Sequence, residues 1–434
     1  MSLARLTLLA LLGWAAGPDP AALVGDLSSP RDPVREEAAG ALEELGRPAL
    51  PALYRARDAD DPDLRRRVEP LIDLIERQRL LRATKVRLNF EDRPLSEVAE
   101  ALRAQTGFPL VVGADDALRS RRVTLHADEP VSFWEALDRL GAACGVRHNP
   151  GIPFSPPPRE STILLRPAEG PPVPASDAGP FRVYLVRLAR HREVTPARPP
   201  ARAKSRESLS ADLHVVAEPG LAVNRIGPVT LDEVVDDRGR DLRPDPPVVP
   251  NPSRSRPPRF EEGRVAFFVL PIPLQSAAEP GGRLRRLKGY VPVSVVARTG
   301  DPIVVPLVGA EGKTFSRGGI TLGVTGVSRV GEGTSFTLTI RGEQADRRFS
   351  PGLAIPLGEY RPPFRVEDHV QVQDDEGRVL WWHPGPLKDA EGGGLETQLK
   401  VHKGTGGPPA RVLYHGVVGA ASEVVFEFAD LPLP

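Results

Sequence analysis

Apolar residues between positions 19 and 83 recur at helical spacing, in two segments offset by 30 residues. Each segment places five apolar residues on one helical face, at Val34, Ala38, Ala41, Leu42 and Leu45 and again at Leu64, Val68, Leu71, Ile72 and Ile75. Each helix opens with Asp-Pro, at Asp32-Pro33 and Asp61-Pro62. Aspartate caps a first turn, and proline at the first helical position loses no hydrogen bond. Since Gly46 supplies a stop, the pattern predicts a short helical repeat over 19–83.

This helical segment resembles HEAT-type repeats. The residues that carry the resemblance are Asp32-Pro33-Val34-Arg35, Ala38, Leu42 and Leu45-Gly46, with a weaker copy at 61–75. The period of 30 is shorter than usual for that family, and two units are visible. Either a peptide-binding concave surface or a packing platform is compatible with this segment.

Between residues 84 and 167 the pattern changes to strands that alternate with two helices. Alternating apolar residues predict strands at 85–90, 108–112, 122–127, 145–148 and 162–165. Helical faces follow Pro94 and Pro130, and the second face carries Trp134 in a core position. The segment is therefore predicted to be a β-α-β-β-α-β unit that closes with a hairpin around a proline-rich loop.

The same unit resembles the short N-terminal domain of secretins and TonB-dependent receptors. Its matching residues lie at 86–98, 107–112, 123–127 and 128–137, and they include a strand followed by Asp/Glu-x-Pro and a helix, twice. In those families the domain is a periplasmic interaction element without catalytic residues. The resemblance therefore implies a protein-interaction role for this unit and carries over no catalytic residue.

Beyond a predicted linker at 168–180, β-periodicity replaces helical periodicity, and the sequence repeats itself. Residues 234–242 match 372–380 at an offset of 138, and the segments on either side can be paired in the same order. We predict two tandem antiparallel β-sandwich domains, the first repeat at 181–308 and the second repeat at 309–434. The whole chain is then a multidomain α+β protein. The two repeats resemble no characterised family.

The clearest shared element of the two repeats is Asp-Asp-x-Gly-Arg, at 236–240 and 374–378. Aspartate caps its own turn and glycine accepts a positive φ, so the element is typical of a hairpin turn. A calcium site is the alternative, but Ca²⁺ takes about six to eight oxygen ligands and the spacing is not that of an EF-hand loop.

Composition and the first residues restrict the class of protein. Gly and Pro together make up 90 of 434 residues (41 and 49), which favours folded domains with many turns. The net charge is zero, so nucleic acid is not an expected partner. Arg5 precedes an apolar run at 6–16 that is too short to span a bilayer. We predict a signal peptide at 1–17 without a lipobox and a periplasmic or secreted mature protein; a buried first helix is the alternative.

Two features are candidate partner contacts. Trp381 and Trp382 follow a predicted strand, so alternation directs one ring outward, where it could contact a sugar or a protein. The basic stretch 187–206, predicted as a long hairpin loop, offers a contact for an anionic polysaccharide or another cell-surface component. The arginines selected there are Arg190, Arg192, Arg198 and Arg202.

No pattern of a catalytic, metal or cofactor site is evident. Cys144 lies on an apolar helix face and is predicted to be structural, and the histidines at 191, 214, 369, 383, 402 and 415 show no local zinc-ligand spacing. We therefore predict an exported, non-catalytic envelope protein that acts as a protein-interaction or scaffold module. The alternative is a carbohydrate-active or hydrolytic enzyme that uses Asp374, Asp375 or Glu376. A third hypothesis is that the β-domains are spacers that hold the N-terminal segments away from a surface.

Overall fold

The computed structural model describes residues 18–148, 163–195, 204–249, 267–275, 281–330, 333–342, 364–402 and 406–434. The protein is mixed α/β, with 25% helix and 46% strand, and most of its sheets are antiparallel. Among the described residues, those at 18–79 and those from 80 onward form two compact units. The predicted signal peptide at 1–17 lies outside the described residues. None of the described helices is both long and apolar enough to cross a membrane.

The first unit is helical and follows the predicted two-helix pattern. Its helices are α1 (Pro20–Asp26), α2 (Asp32–Leu45), a 3₁₀ turn (Arg47–Ala49), α3 (Leu50–Arg57) and α4 (Pro62–Leu80). The predicted faces supply the core, since Ala38, Leu42, Val68 and Ile72 are buried. Gly46 ends α2 with a φ of 63°.

Only one of the two predicted aspartate caps forms. The Asp61 carboxylate accepts hydrogen bonds from the backbone N–H groups of Asp63 (2.9 Å) and Leu64 (3.0 Å), as a cap should. Asp32 is instead the first residue of α2, where its carboxylate pairs with Arg35. The cap predicted at Asp32 is therefore wrong: the helix begins one residue earlier, and Asp32 contributes a negative charge to its first turn.

The unit predicted over 84–167 has the expected order of strands and helices. Its elements are β1 (Lys85–Val86), β2 (Asn89–Pro94), α5 (Leu95–Thr106), β3 (Leu110–Val112), α6 (Asp116–Arg119), β4 (Arg122–His126), β5 (Val131–Ser132), α7 (Phe133–Cys144), β6 (Val146–His148) and β7 (Ile163–Pro167). The strands pair as β1-β5, β2-β4 and β3-β7-β6, and the closing hairpin is the antiparallel β6-β7 pair. The core places for Trp134 and Cys144 are confirmed. Burial raises the pKa of the Cys144 thiol, which donates to the Leu140 carbonyl.

The predicted linker at 168–180 is partly a strand. The first repeat and its approach consist of β8 (Ala175–Ala178), β9 (Phe181–Thr195), β10 (Lys204–Ala217), β11 (Ala222–Ile226), β12 (Val229–Asp236), β13 (Val248–Val249), β14 (Phe267–Leu274), β15 (Arg283–Arg298) and β16 (Ile303–Pro306). β8 forms the edge of the sheet β14-β10-β9-β8.

Buried polar groups connect this sheet to helix α7 of the 84–167 segment. The buried Arg182 guanidinium on β9 pairs with the Asp138 carboxylate of α7 (2.5 Å) and with Asp177 of β8 (2.6 Å). The Trp134 indole N–H donates to the Pro180 carbonyl at 3.2 Å. Residues 168–180 therefore do not act as a free spacer, because a buried charge is stable only while its partners stay in place.

The second repeat uses the same strand order. Its elements are β17 (Thr314–Arg317), β18 (Ile320–Val330), β19 (Gly333–Arg341), α8 (Val366–His369), β20 (Val370–Gln373), β21 (Trp382–Pro384), β22 (Lys388–Asp389), β23 (Leu395–Val401), β24 (Arg411–Tyr414) and β25 (Val417–Pro432). The sheet β17-β18-β19-β23-β21 corresponds strand for strand to β8-β9-β10-β14 and extends it by β21. The internal repeat read from the sequence is thus also a repeat of topology.

The two repeats share one long strand ladder, which the predicted boundary at 308/309 does not anticipate. β15 pairs with β25 along its whole length, and β16 continues the ladder against β24. The Thr299 N–H donates to the Gly416 carbonyl between these two stretches. Phe426 of the second repeat consequently lies in the core of the first repeat, while Val305 of the first repeat lies in the core of the second.

This exchange has a simple physical reason. β15 would otherwise present a 16-residue edge of unpaired backbone groups, and its equivalent in the second repeat offers the same pattern running antiparallel. Pairing the two equivalents satisfies both edges. The boundary predicted at 308/309 is therefore corrected: each repeat completes the core of the other.

Candidate binding surface

The Asp-Asp-x-Gly-Arg elements are buried turns, as their sequence predicts. The Asp374 carboxylate accepts the N–H groups of Arg378 (2.8 Å) and Gly407 (2.9 Å), and the Arg378 guanidinium adds a contact at 2.8 Å. Asp236 in the first repeat accepts the corresponding N–H groups of Arg240 (2.8 Å) and Gly281 (2.9 Å). Both carboxylates are inaccessible to solvent. Each therefore fastens its turn to the glycine that precedes the next strand.

The electrostatics of these turns agree with a structural role. Burial alone would raise the pKa of Asp374, but the hydrogen bonds from Arg378 and Gly407 outweigh it and lower the pKa to about 2. For Asp236 the backbone donors likewise outweigh burial and lower the pKa. The oxygens already accept N–H groups, so they are not directed at a cation. In the described parts of the chain, no three His, Cys, Asp or Glu side chains come together as a metal cluster.

The three carboxylates of the enzyme alternative lie in one turn and differ in their exposure. Asp374 is buried in its turn, whereas Asp375 and Glu376 are exposed. Glu376 forms an ion pair with Arg378 at 2.6 Å. General acid–base catalysis requires a carboxyl group within hydrogen-bond reach of a bound substrate. A fully enclosed Asp374 does not meet that requirement.

The basic stretch at 187–206 is a strand hairpin where the structure describes it, rather than the predicted loop. β9 extends to Thr195 and β10 begins at Lys204. Arg190 pairs with Glu207 at 2.5 Å, and Arg192 lies 3.9 Å from the same carboxylate. Arg198 and Arg202 lie outside the described residues. Arg190 and Arg192 are thus partly neutralised by a carboxylate of the neighbouring strand.

The two tryptophans take opposite sides of the second repeat's sheet, as alternation predicts. Trp381 is 65% exposed, whereas Trp382 packs against the core of the second repeat. Trp382 pairs with Val401 in the β21-β23 ladder, and the N–H of the next residue, His402, donates to the Trp381 carbonyl at 2.9 Å. A backbone hydrogen bond therefore holds the exposed ring at the end of an edge strand.

Two histidines share the outer face with Trp381. His383 lies two residues along β21, so it points to the same side as Trp381. His402 lies directly opposite Trp381 across the ladder, and its ring centroid is 4.0 Å from that of Trp381. The His402 Nε2 and His383 Nδ1 atoms are 2.6 Å apart. We call Trp381, His383 and His402 the aromatic platform.

The surroundings of the aromatic platform are apolar and basic. Val379, two residues before Trp381, is also exposed, and Lys400 pairs with His383 across the ladder. Partial burial lowers the pKa of His402, and the neighbouring charges of His383 and Lys400 lower it further. These effects favour a neutral His402 imidazole beside the exposed indole.

Of the other histidines singled out in the sequence, two lie apart on the first repeat and two meet in the second. His191 is exposed on β9, and His214 lies on β10. His369 and His415 are packed in the second repeat, where the His415 N–H donates to the His369 carbonyl at 2.8 Å. Burial lowers the pKa of each to about 4, so both are neutral at pH 7. These two imidazoles are parts of the core rather than of a site.

The pairing of His383 with His402 could not be read from the sequence. The two residues are 19 positions apart and fit no local ligand pattern. They meet only because β21 and β23 pair in the register Trp382–Val401. The adjacent pair Trp381-Trp382 is the sequence feature that marks this strand.

Comparisons with known proteins add no assignment. No protein-family model, no curated protein and no solved structure matches the chain.

Proposed function

We propose that this chain is a non-catalytic, modular binding protein of the cell envelope whose contact with a partner protein is made by the aromatic platform. Its modules are a HEAT-like helical stack at 19–83, a unit like the short N-terminal domain of secretins and TonB-dependent receptors at 84–167, and two β-sandwich repeats. The leader pattern at 1–17 is the basis for the envelope location.

The observation that carries the proposal is the 65% exposure of Trp381, the residue directly before β21. A tryptophan side chain is costly to leave in water, since burying a large aromatic group gains about 2–3 kcal/mol by area. It also has few rotatable bonds, so ordering it on binding costs little entropy. Exposed tryptophans of this kind are typical energetic centres of protein interfaces.

The buried carboxylates support the non-catalytic part of the proposal. Asp374 and Asp236 occupy equivalent turns, and both direct their oxygens at backbone N–H groups. If Asp374 acted as an acid or base, its contacts would be expected to differ from those of Asp236, its counterpart in the first repeat. The duplication of the same contacts favours a role in folding for both.

A capture experiment with matched variants tests the proposal. The full chain, Trp381→Ala and Val308→Ala are immobilised and exposed to an envelope extract of the source cell. Val308 is 88% exposed and lies outside the platform, so its variant controls for the loss of an exposed apolar side chain. We expect a defined protein to bind the native chain and the Val308 variant but not Trp381→Ala.

Two results would overturn the proposal. One is the same set of bound proteins on all three baits, which would show that Trp381 contributes no contact. The other is release of sugar from envelope polysaccharide by the native chain, with loss of release in Asp375→Asn or Glu376→Gln, which would favour the enzyme alternative. Fractionation of the source cell tests the location separately: an uncleaved chain in the cytosol would contradict export.

A further inference from the structure

We propose that His383 and His402 form a two-imidazole site for a divalent late transition-metal ion of the Cu²⁺, Ni²⁺ and Zn²⁺ group. This inference does not rest on the proposed partner. It arises from two nitrogen ligands that the strand register brings together on an accessible surface. Imidazole nitrogen is a preferred ligand of these ions.

The geometry needs only a small adjustment to hold an ion. Metal–nitrogen bonds to histidine are about 2.0–2.1 Å, so two nitrogens on one ion lie about 2.9–3.3 Å apart for coordination angles between 90° and the tetrahedral value. The His402 Nε2 and His383 Nδ1 atoms are now 2.6 Å apart. An opening of ~0.3–0.7 Å admits the ion, and His402 is exposed, so its ring can rotate without disturbing the core.

The present hydrogen bond between the rings identifies which atoms coordinate. One of the two facing nitrogens carries the shared proton, and when the ion binds, that proton moves by way of solvent to the other nitrogen of the same ring. His383 then coordinates through Nδ1 and His402 through Nε2. Both rings remain neutral and keep an N–H on the nitrogen that faces away from the ion.

The neighbours limit the strength and the type of the site. Lys400, opposite His383, places a positive charge near the ion and weakens binding. The described residues supply no further carboxylate, thiolate or imidazole that would complete a closed cluster. Water fills the other coordination positions, so the site is open and exchangeable rather than a structural zinc site. The order Cu²⁺ > Ni²⁺ follows from the general affinity series of these ions.

Calorimetric titration of the untagged full chain with CuCl₂ and NiCl₂ tests the inference. We expect one equivalent to bind with saturation, with Cu²⁺ tighter than Ni²⁺, and EDTA to reverse it. His383→Ala and His402→Ala should each weaken binding by more than tenfold. Removing a residue that only hydrogen-bonds to a metal ligand already costs about tenfold or more, and these two residues are the ligands themselves. His191→Ala, at an exposed histidine on β9, is the matched control and should bind as the native chain does.

Tryptophan fluorescence provides a second readout. Because the Trp381 ring lies 4.0 Å from His402, bound Cu²⁺ should quench its emission in the native chain and in His191→Ala. Circular dichroism melting of each variant shows whether it is folded. Unchanged metal affinity in folded His383→Ala and His402→Ala, or no saturable binding to the native chain, would overturn the inference.

Trp381→Ala separates this inference from the proposed function. The variant keeps both imidazoles, so it should bind Cu²⁺ within about threefold of the native affinity, a difference well under 1 kcal/mol. Loss of the partner protein together with retained metal binding would support both proposals. Loss of Cu²⁺ binding from folded Trp381→Ala would contradict the two-imidazole site.

Discussion

The two repeats carry the same turn but different side chains directly after it. In the first repeat the turn leads to the buried Leu242 and then to Arg243, whose guanidinium pairs with Asp241 at 2.6 Å. In the second repeat the corresponding residues, 138 positions later, are the buried Leu380 and the exposed Trp381. The N–H groups of Leu242 and Leu380 donate to equivalent carbonyls, at 2.7 and 2.8 Å.

The comparison separates what the scaffold requires from what the second repeat adds. The aspartate, the glycine and the leucine are buried or have special backbone conformations, and both repeats keep them. The position after the leucine faces solvent, so packing does not restrict it. One repeat has a local ion pair at this position, and the other has an exposed indole that lies against the His402 ring. The aromatic platform is therefore a feature of the second repeat alone in the described part of the chain.

The largest effect is expected from the strand that the repeats share. Phe426 lies at 2% exposure in the core of the first repeat, although it belongs to the second repeat in sequence. We expect Phe426→Ala to lower the free energy of unfolding by about 3–5 kcal/mol. The neighbouring Val425→Ala, at an exposed position, should change it by less than about 0.5 kcal/mol. Denaturant unfolding measures both, and equal effects would contradict the shared ladder.

A smaller loss is expected when one of the equivalent turns is opened. Asp236→Ala leaves buried N–H donors without an acceptor, at a cost of about 1–3 kcal/mol for each. Asp374→Ala should destabilise the protein in the same direction, and the exposed Asp375→Ala should have little effect. Thermal melting compares the three variants. If Asp236→Ala melted like the native protein, the turns would not fasten the sheets as described.

The repeats should also differ in their response to acid. His369 occupies the place of Leu231 in the first repeat, and burial lowers its pKa to about 4. Between about pH 6.5 and 4 the unfolded chain binds more protons at this histidine than the folded chain does, so its contribution to stability falls as pH falls. Its neighbour Asp368 acts in the opposite direction, because burial raises its pKa to about 6.

The test of this difference is His369→Leu, which takes the residue of the first repeat. Arg298 also faces this region: its guanidinium donates to the carbonyls of Glu367, Asp368 and Val370, and its charge helps to keep His369 neutral. Between pH 7 and 4.5 the free energy of unfolding should fall in both proteins. We expect the fall to be smaller in the variant, by on the order of 1–2 kcal/mol. Parallel curves of stability against pH would show that His369 does not titrate as its burial implies.

The smallest effect on folding should come from exchanging the exposed residue itself. Trp381→Arg places the residue of the first repeat into the second. Since the position is exposed, we expect the free energy of unfolding to stay within about 0.5 kcal/mol of the native value. Binding of the partner protein should nevertheless be lost in the capture assay. A destabilised variant would mean that the Trp381 ring supports the fold.

Local patterns in the sequence predicted local structure well. The helices α5 and α7, the hairpin β6-β7 and both Asp-Asp-x-Gly-Arg turns follow from residues within a few positions of one another. The exchange of β25 and β16 between the repeats did not follow, because equivalent strands have the same apolar alternation. That pattern does not state which copy a strand will pair with.

The candidate site divides in the same way. Alternation predicted that one of Trp381 and Trp382 would face outward, since this depends only on adjacent positions. The contact between His383 and His402 depends on the register of two strands, which their spacing does not encode. The described basic residues Arg190 and Arg192 proved to lie beside Glu207, a neighbour that appears only once the hairpin register is known.

The pairing of β15 with β25 also restricts the order in which the repeats can fold. Arg283, at the start of β15, pairs with Pro432, at the end of β25, so the core of the first repeat needs both segments. Until β25 pairs with it, β15 has a long edge of unpaired backbone groups that can pair with other chains. Contacts between positions so far apart in the sequence form slowly. The first repeat therefore cannot complete its core before the residues of β25 are available to pair with β15.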